Sequence, residues 1–298
     1  MPATDFDWND LRAFLAVART GKLTAAAQRM GVDHATVSRR IAALERGLKA
    51  ALFHRAPTGY SLTAHGERLM PHAEAMESLA LRTAAQLGEA DLKLSGVVRV
   101  GAPEGFGSYF LAPRMGAWAE QHPELELQLV AIPGVVSLSK READIAVALS
   151  PPREGRLAVR KLVDYGLSLY AAPAYLSSAP PLETRADMSA HRFIGYIEEL
   201  LYAPELDYMQ APDAEIRVAF KSSNLIAQLQ ACLAGAGLCV LPDFIGRAEP
   251  GLVKVLDGQV GLTRALWLVT HADMRGLARI RAVTEFIAEQ VRLAKRAF

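Results

Sequence analysis

Residues 23–48 read LTAAAQRMGVDHATVSRRIAALERGL, and this stretch decides the fold of the N-terminal part of the chain. Thr24 is placed to cap a short Ala-rich helix that Gly31 ends, and Asp33 is placed to cap the next helix. The apolar residues of that next helix recur at helical spacing and form one stripe, namely Val37, Ile41, Leu44 and Leu48. Two helices joined by a tight glycine-containing turn predict a helix-turn-helix unit.

The residues on either side of this stretch complete a small domain. Upstream, Asp7 is placed to cap a first helix that ends before Gly21. Downstream, residues 52–62 contain two short extended runs around Pro57-Thr58-Gly59, a pattern typical of a β-hairpin. We therefore predict an all-α winged helix-turn-helix domain over residues 1–64, with the hairpin as its wing.

A long helix is predicted after the wing, opened by Thr63 and running to about Ala90. Its apolar and small residues fall into two heptad columns, Leu69, Met76 and Thr83 in one and Ala73, Ala80 and Leu87 in the other. A seam of this length favours coiled-coil pairing with a second chain, so residues 65–92 are interpreted as a linker and dimerisation helix. The alternative is a surface helix that packs only on its own domain.

Charge is distributed unevenly, although the chain of 298 residues has a formal net charge of only +1. Residues 1–66 hold nine basic and five acidic side chains, which gives +4 for this segment and −3 for the remainder. A basic head on a slightly acidic body fits phosphate binding by one end of the molecule. A random scatter of surface charge would give the same imbalance.

Composition excludes several classes of protein. The sequence contains no run of 18 or more apolar residues, so no membrane span is predicted. The first thirty residues lack the basic and apolar segments of a signal peptide. Cys232 and Cys239 form neither a CxxC pair nor a disulfide framework. We expect a protein of the reducing cytoplasm that is not associated with a membrane.

After Ser95-Gly96 the sequence predicts a large α/β domain over residues 93–298. Apolar runs rich in β-branched residues alternate there with helical segments. Because the runs are nearly continuous and do not alternate with polar residues, we expect parallel strands covered on both faces. The predicted strands are Val97–Ala102, Leu125–Ile132, Asp144–Leu149, Leu167–Ala172, Phe193–Tyr196, Ile216–Phe220, Leu238–Leu241 and Leu266–Thr270.

The helix that follows Asp33 carries groups suited to reading DNA on the face opposite its apolar stripe. Arg39 can bind guanine O6 and N7, while Ser38 and His34 can bond base edges or phosphate. The small residues Ala35 and Ala42 would allow close approach to the major groove. For any one of these residues, an ordinary solvated face is the alternative interpretation.

The chain as a whole resembles the LysR-type transcriptional regulators. The resemblance is carried in the head by residues 11–18 (LRAFLAVA), 23–27 (LTAAA), 37–41 (VSRRI), 44–45 (LE), 52–55 (LFHR) and 62–66 (LTAHG). In the body it is carried by residues 96–101 (GVVRVG), 143–147 (ADIAV) and 233–238 (LAGAGL). One departure is that the recognition helix begins Asp33-His34-Ala35, where the family often has Ser-Gln-Pro or similar.

This resemblance implies a transcription factor that binds double-stranded promoter DNA. It implies a homodimer formed through the linker helix, a homotetramer built from two such dimers, and a periplasmic-binding-protein-like (type 2) body that senses a small molecule. The family's base-contacting face maps onto this helix and its wing contact onto Arg55. The DNA-binding prediction comprises Thr24, His34, Ala35, Thr36, Ser38, Arg39, Arg40 and Arg55.

In a body of this kind two α/β subdomains enclose a cleft. The chain is expected to cross between them near Tyr165–Leu169 and Leu266–Thr270, which gives subdomain I at about 93–165 and 267–298 and subdomain II at about 166–266. Ligands of open parallel sheets lie beyond the carboxyl ends of strands. The effector-binding prediction is therefore Pro103, Glu104, Gly105, Phe106, Ser108, Ile132, Pro133, Tyr196, Ser222, Ser223 and Asn224.

The chemistry of the effector stays open between two interpretations. Ser108 and Ser223 could hold a carboxylate with help from backbone N–H groups, and aromatic residues such as Phe106 could form walls for an aromatic metabolite. If a glutamate such as Glu104 or Glu198 enters the cleft, the effector would instead carry an amine or several hydroxyls. Plain helix caps and surface charges are the alternative roles for these serines and glutamates.

Three rival classes compete with a regulator. An enzyme is disfavoured because the sequence lacks the GxSxG, HExxH, P-loop and dinucleotide-binding patterns, so no catalytic residue, metal site or cofactor is predicted. An architectural DNA-binding protein would use the same head and need no small molecule. A secreted solute-binding protein disagrees with the expected absence of a signal peptide and with the N-terminal head.

Overall fold

The structure is a computed structural model that describes residues 7–87, 94–134, 136, 138, 142–152, 156–208 and 216–298. The chain divides into two compact units, Met1–Asp91 and Leu92–Phe298. The first unit is helical with one small hairpin, and the second is built around a mixed β-sheet.

Three helices open the first unit, namely α1 (Trp8–Thr20), α2 (Leu23–Met30) and α3 (His34–Leu48). Two of the three predicted caps are confirmed, because the Asp7 carboxylate accepts from Asn9 N–H at 2.9 Å and the Asp33 carboxylate accepts from Thr36 N–H at 2.7 Å. The predicted Thr24 cap is wrong. The capping position is Lys22, two residues earlier, since Ala26 N–H donates to the Lys22 carbonyl at 3.0 Å and closes the first turn there.

The predicted apolar stripe of α3 forms part of the core of this unit. Three of its four residues are fully buried and Leu48 is half-buried. Phe14 of α1 is completely buried and its ring centroid lies 5.3 Å from that of Phe53. The fully or nearly fully buried side chains around them are Leu11, Leu15, Val17, Ala26, Val37, Ile41, Leu44 and Leu52.

The predicted wing is an antiparallel hairpin of β1 (Phe53–Ala56) and β2 (Gly59–Leu62). Tyr60 N–H donates to the Gly21 carbonyl at 2.8 Å, which ties the hairpin to the turn between α1 and α2. Gly59 has φ of +139°, and a Cβ there would lie 2.5 Å from the Gly21 carbonyl oxygen. This close approach therefore requires glycine.

Helix α4 (Ala64–Leu87) follows the wing and is capped as predicted by Thr63, whose hydroxyl accepts from Gly66 N–H at 3.1 Å. Ala73 is fully buried in the core of the first unit, and Arg19 of α1 forms a two-hydrogen-bond ion pair with Glu77 at 3.2 and 2.8 Å. The first turns of α4 thus pack on their own domain. Met76, on another side of the same helix, is 44% exposed, and predicted helical residues beyond Leu87 lie outside the described residues.

One sheet forms the second unit, with the strand order β4-β3-β5-β11-β6-β9-β7-β8 in the described part and β10 paired to β6. Strand β3 is parallel to β4 and β5, and β7 is parallel to β8 and β9. The strands are β3 (Gly96–Pro103), β4 (Leu125–Ile132), β5 (Ile145–Ala148), β6 (Leu157–Ala171), β7 (Arg192–Tyr196), β8 (Arg217–Ser222), β9 (Leu238–Pro242), β10 (Val253–Val255) and β11 (Gly261–His271).

The expectation of a wholly parallel sheet is wrong for its two central strands. β6 and β11 pair antiparallel to each other, β11 is antiparallel to β5, and β6 is antiparallel to β9. Both are longer than predicted because their extra positions include exposed polar side chains such as Arg160 and Lys161, which interrupt the apolar runs. β6 pairs with β9 at one end, and β11 pairs with β5 at the other, so this central pair joins the two parallel halves.

Helices flank this sheet, and two of them position the pocket described below. A π-helical turn (Phe106–Leu111) continues directly into the helix after β3, and the helix after β8 is capped by the Asn224 side chain, which accepts from Ala227 N–H at 2.8 Å. The helices are α5 (Ala112–Glu120), α6 (Pro173–Leu176), α7 (Leu225–Leu233), α8 (Asp243–Gly246) and α9 (Ala278–Leu293). Cys232 and Cys239 are buried as free thiols in a core beside α7.

Candidate DNA-binding face and ligand pocket

The face of α3 opposite the buried stripe is polar and accessible. His34, Ala35 and Arg39 are exposed, and Ser38 and Arg40 are half-buried. An imidazole, a hydroxyl and two guanidinium groups therefore lie on one helical face with small residues between them. A helix with such a face can enter the major groove and offer donors to base edges.

A local hydrogen-bond network orients the start of this face. The Thr36 hydroxyl donates to Asp33 Oδ2 at 2.7 Å, and Arg39 Nη2 donates to Thr36 Oγ1 at 3.3 Å. These hydrogen bonds from the Thr36 side chain and backbone hold the pKa of Asp33 below its ordinary value of 3.8. Thr36 thus joins the helix cap to the guanidinium beside it.

Arg55 of the wing is oriented by a residue that sequence reasoning gave no role. Its Nη2 lies 3.0 Å from Glu45 Oε2, while Glu45 Oε1 accepts from Leu52 N–H at 2.8 Å and Phe53 N–H at 3.4 Å. Glu45 therefore connects α3 to the wing and keeps Arg55 extended, with 55% of the Arg55 side chain exposed. The Leu44-Glu45 pair in the sequence was the available signal.

Thr24, the remaining member of the predicted DNA-binding set, lies exposed at the second position of α2. Backbone N–H groups of a helix's first turn have no partner inside the helix, so they favour phosphate. The structure thus places Thr24 on an accessible helix start, separate from the outer face of α3.

In the second unit, a pocket lies where β3, β7 and β9 end. The space between its walls is about 440 Å³ when the open mouth is included. Its walls are formed by the segment after β3 together with residues that follow β7 and β9. Pro103, Tyr196 and Pro242 are the last residues of these three strands and all line it. The position agrees with the rule that open sheets bind ligands beyond the carboxyl ends of their strands.

Glu104 is the acidic group of the pocket. Its Oε1 accepts from Asn224 Nδ2 at 2.6 Å, whereas its Oε2 has no accessible surface and no hydrogen-bond partner among the described residues. The adjacent Gly105 lets this turn approach α7, because a Cβ there would lie 2.5 Å from Leu225 Cδ2. Glu104 therefore lines the pocket and keeps one buried carboxylate oxygen without a donor among the described residues.

Tyrosine side chains form much of the pocket wall. Burial raises the pKa of Tyr202 to about 12, with a further contribution from the negative charge of Glu104. Burial likewise raises the pKa of Tyr165, Tyr196 and Tyr208 above the ordinary value of 10.0. All four hydroxyls are therefore neutral at physiological pH, and they can donate or accept hydrogen bonds.

The pocket brings together many of the predicted effector-binding residues and leaves others outside its lining. Seven lie on the wall, namely Pro103, Glu104, Gly105, Phe106, Pro133, Tyr196 and Ser223. Asn224 acts behind it by holding Glu104, and Ser222 accepts from Asn224 N–H at 3.1 Å. Ser108 and Ile132 are exposed and do not line it, whereas Ser223 does.

Several lining residues were not identified from the sequence. Tyr165 and Leu266 belong to the paired central strands, and Phe244 follows the carboxyl end of β9. The rule that selected the residues after β3 would have selected Phe244 as well. Tyr208 and Leu206 come from irregular chain after β7, for which the sequence gave no signal.

The described residues show neither a metal-binding cluster nor a membrane-spanning helix. No group of three or more His, Cys, Asp or Glu side chains among them is placed to hold a metal ion. No helix in the same part of the chain is both long and apolar enough to span a membrane.

Both units match known families. A family model described as "Bacterial regulatory helix-turn-helix protein, lysR family" matches residues 8–67, and one described as "LysR substrate binding domain" matches residues 93–292. The chain is 31% identical to the regulator DmlR of Escherichia coli strain K12, covering 94% of this chain and 93% of that protein. It is 27% identical to the regulator PtxR of Pseudomonas aeruginosa, covering 95% and 92%.

Solved structures give the same result. The structure of CrgA, a LysR-type transcriptional regulator from Neisseria meningitidis, superposes with a TM-score of 0.59 at 25% identity and covers 95% of this chain and 98% of that one. Full-length OxyR from Pseudomonas aeruginosa superposes with a TM-score of 0.73 at 20% identity, covering 97% and 95%. At that identity the likeness to OxyR concerns the fold.

Proposed function

The chain belongs to the LysR family of transcriptional regulators, which bind DNA under the control of a small-molecule effector, and from that premise we propose which residues perform each task. The domain assignment is a winged helix-turn-helix over 1–64, a linker helix over 65–92 and an effector domain over 93–298. Subdomain I takes about 93–165 and 267–298, and subdomain II about 166–266. The change of strand partners along β6 and β11 supports this division.

Base reading falls to the outer face of α3, with Arg39 as its main donor. The observation that supports this assignment is that the outer face of α3 is accessible and polar while the opposite face is buried. His34, Ala35, Ser38 and Arg39 face base edges, while Thr24, Thr36 and Arg40 are assigned to phosphate and to positioning. Arg55 contacts DNA from the wing.

Helix α4 is assigned to the assembly of the protein into dimers. Although Ala73 and Glu77 of this helix contact the first unit, Met76 and Leu79 are 44% and 57% exposed, which leaves large apolar side chains available to a second copy. We assign homodimer formation to this part of the helix and a homotetramer to the pairing of dimers. The protein acts in the cytoplasm as a regulator without catalytic activity.

The effector binds in the pocket at the ends of β3, β7 and β9. The supporting observations are its aromatic walls and its position beyond strand ends. Of the effector chemistries predicted from the sequence, an aromatic body fits the wall formed by Phe106, Tyr196 and Tyr202. A carboxylate finds no cationic side chain among the described lining residues.

Specific binding to its own upstream region tests the proposal. Purified full-length protein is titrated, at moderate and raised salt, with a fluorescent duplex from that region and with a scrambled duplex of equal composition. We expect the cognate duplex to bind at least tenfold more tightly, since specific sites exceed non-specific ones by about 10³ or more. Equal affinity for both duplexes would contradict the proposal and favour an architectural protein.

A further inference from the structure

We infer that the pocket beside Glu104 selects a ligand that carries a protonated amine on an apolar or aromatic body. This inference rests on the proposed function, because it names the chemical class of the effector for that same pocket. Three features of the described residues support it.

The first feature is the unpartnered oxygen of Glu104. Glu104 Oε2 is buried and accepts no hydrogen bond, whereas Oε1 is fixed by Asn224 at 2.6 Å. A buried carboxylate that lacks a donor is costly, because it has lost hydration without replacement. A ligand with a charged N–H donor would supply both the hydrogen bond and the opposite charge.

The second feature is that the protein places its own anion where an effector carboxylate would be expected. The start of α7 is capped by Asn224 Oδ1, and the amide nitrogen of the same side chain donates to Glu104. The helix start favours negative charge, and Glu104 already supplies it. A ligand carboxylate there would face a like charge.

No lining residue offsets that charge. The described wall of the pocket contains no Lys or Arg. The positive charge of Arg264 lowers the pKa of Tyr165 and Tyr208 against the larger effect of burial. The Arg264 guanidinium donates to the backbone carbonyls of Glu205 and Thr263, both at 3.3 Å. An anionic ligand therefore has no counter-charge on the wall, whereas a cation has Glu104.

The third feature is the aromatic wall. Phe106, Tyr165, Tyr196, Tyr202 and Phe244 all line the pocket. Aromatic faces attract cations through their quadrupole, most strongly when the cation has lost water. The same rings accept an apolar ligand body, so the wall suits an organic ammonium better than a small hydrated ion.

Three probes of nearly equal shape test the charge preference: phenethylammonium, 2-phenylethanol and 3-phenylpropanoate. Each is added at up to about 10 mM, the range expected for fragment-sized ligands, to the full-length protein at neutral pH. Thermal shift and calorimetry measure binding. We expect phenethylammonium to stabilise the protein and bind at least tenfold more tightly than the alcohol, and the carboxylate to give no response.

Glu104→Gln provides the residue-level test, because glutamine keeps an acceptor for Asn224 and removes the charge. We expect this variant to bind phenethylammonium about tenfold to a hundredfold more weakly. Glu289→Gln, the same change on an exposed helix face, should bind it as the wild type does. If Glu104→Gln does not fold, the ranking of the three probes on the wild type decides alone.

Several results would overturn the inference: no response to phenethylammonium, an equal response to the alcohol, a stronger response to the carboxylate, or unchanged amine binding by Glu104→Gln. The DNA titration described above is run on the same preparations. A protein that prefers its cognate duplex and ignores amines refutes this inference only. One that binds amines without a duplex preference refutes the proposed DNA-binding function instead.

Discussion

On the outer face of α3, His34 and Arg39 lie exposed to water, whereas in the pocket Glu104 holds a carboxylate oxygen with no accessible surface. The cations of α3 keep their hydration until DNA arrives, so their contribution depends on salt and on counterion release. The carboxylate has already lost its water, so its contribution depends on a donor brought by the ligand. Under the functions proposed above, one site meets a polyanion and the other meets one small molecule.

The two sites also differ in how the chain builds them. The face of α3 comes from a single helix of 15 residues on a small core. The pocket collects residues from Pro103 to Leu266, which adjoin only because the strands are ordered as they are. Damage to the small core should therefore abolish DNA binding and spare the pocket.

Phe14→Ala is the strongest test of this separation. Phe14 is fully buried and packs on Phe53, so its removal should cost the first unit about 3–5 kcal/mol of unfolding free energy. Hydrogen exchange followed by mass spectrometry should show faster exchange across α1–α3 and unchanged protection in β3 and β7. Leu293→Ala, at a 65% exposed position, serves as the control and should leave exchange in both units unchanged. Equal loss of protection in both units would contradict the separation.

Arg39→Ala sharpens the comparison on the DNA side. If Arg39 reads a base, the variant should lose about 1–3 kcal/mol of specific binding free energy and relax the preference at one base pair. Binding selections from a randomised duplex library measure both effects. Arg46→Ala, at an exposed position in the last turn of α3, is the matched control and should lose affinity evenly across sequences. An even loss for Arg39→Ala would make Arg39 a phosphate contact.

Local signals in the sequence predicted the buried and exposed sides of α3 well. Asp33 and the stripe from Val37 to Leu48 gave the start, the buried side and hence the exposed side of α3, because a helix is defined by contacts between near neighbours. The Thr24 cap failed because the wing fixes the preceding turn, and the Lys22 carbonyl closes the first turn of α2 two residues earlier. That effect comes from residues about 35 positions downstream, beyond any local pattern.

The pocket was predicted only where a strand end marked it. Pro103 to Phe106 were identified because they follow an apolar strand, and the structure places them on the wall. Tyr165 was missed because β6 extends through polar residues and pairs antiparallel with β11, a pairing that the apolar pattern does not encode. Tyr208 was missed because irregular chain has no periodicity. Strand order, a long-range property, decides which side chains meet.

Gly105→Ala tests the pocket side of the comparison. The new methyl group would lie 2.5 Å from Leu225 Cδ2 and 3.0 Å from Ile245 Cδ1, so either these side chains shift or the turn after β3 moves away from them. Overpacking of this kind costs about 1–3 kcal/mol of unfolding free energy. Thermal unfolding should show that loss in the second unit, while the affinity for DNA without effector stays unchanged. Gly116→Ala, where a Cβ meets nothing within 4 Å, is the control. A stability equal to wild type would mean that Leu225 yields freely.

Asp33→Asn should give the smallest effect, and it separates the two regions by pH. The folded pKa of Asp33 lies below 3.8 because Thr36 donates to the carboxylate, so its stabilisation is present above that value and lost as the pH falls through the folded pKa. Asparagine keeps the cap but cannot titrate, so the wild type should lose more head stability than the variant between about pH 5 and pH 3. The pocket should respond at the opposite end, because the raised pKa of Tyr202, about 12, makes its stabilisation fade only as the pH rises above 10.0. The midpoints of denaturant unfolding, compared across both pH ranges, measure these losses of stability. An identical acid loss in wild type and variant would show that Asp33 does not contribute to the pH dependence of the first unit.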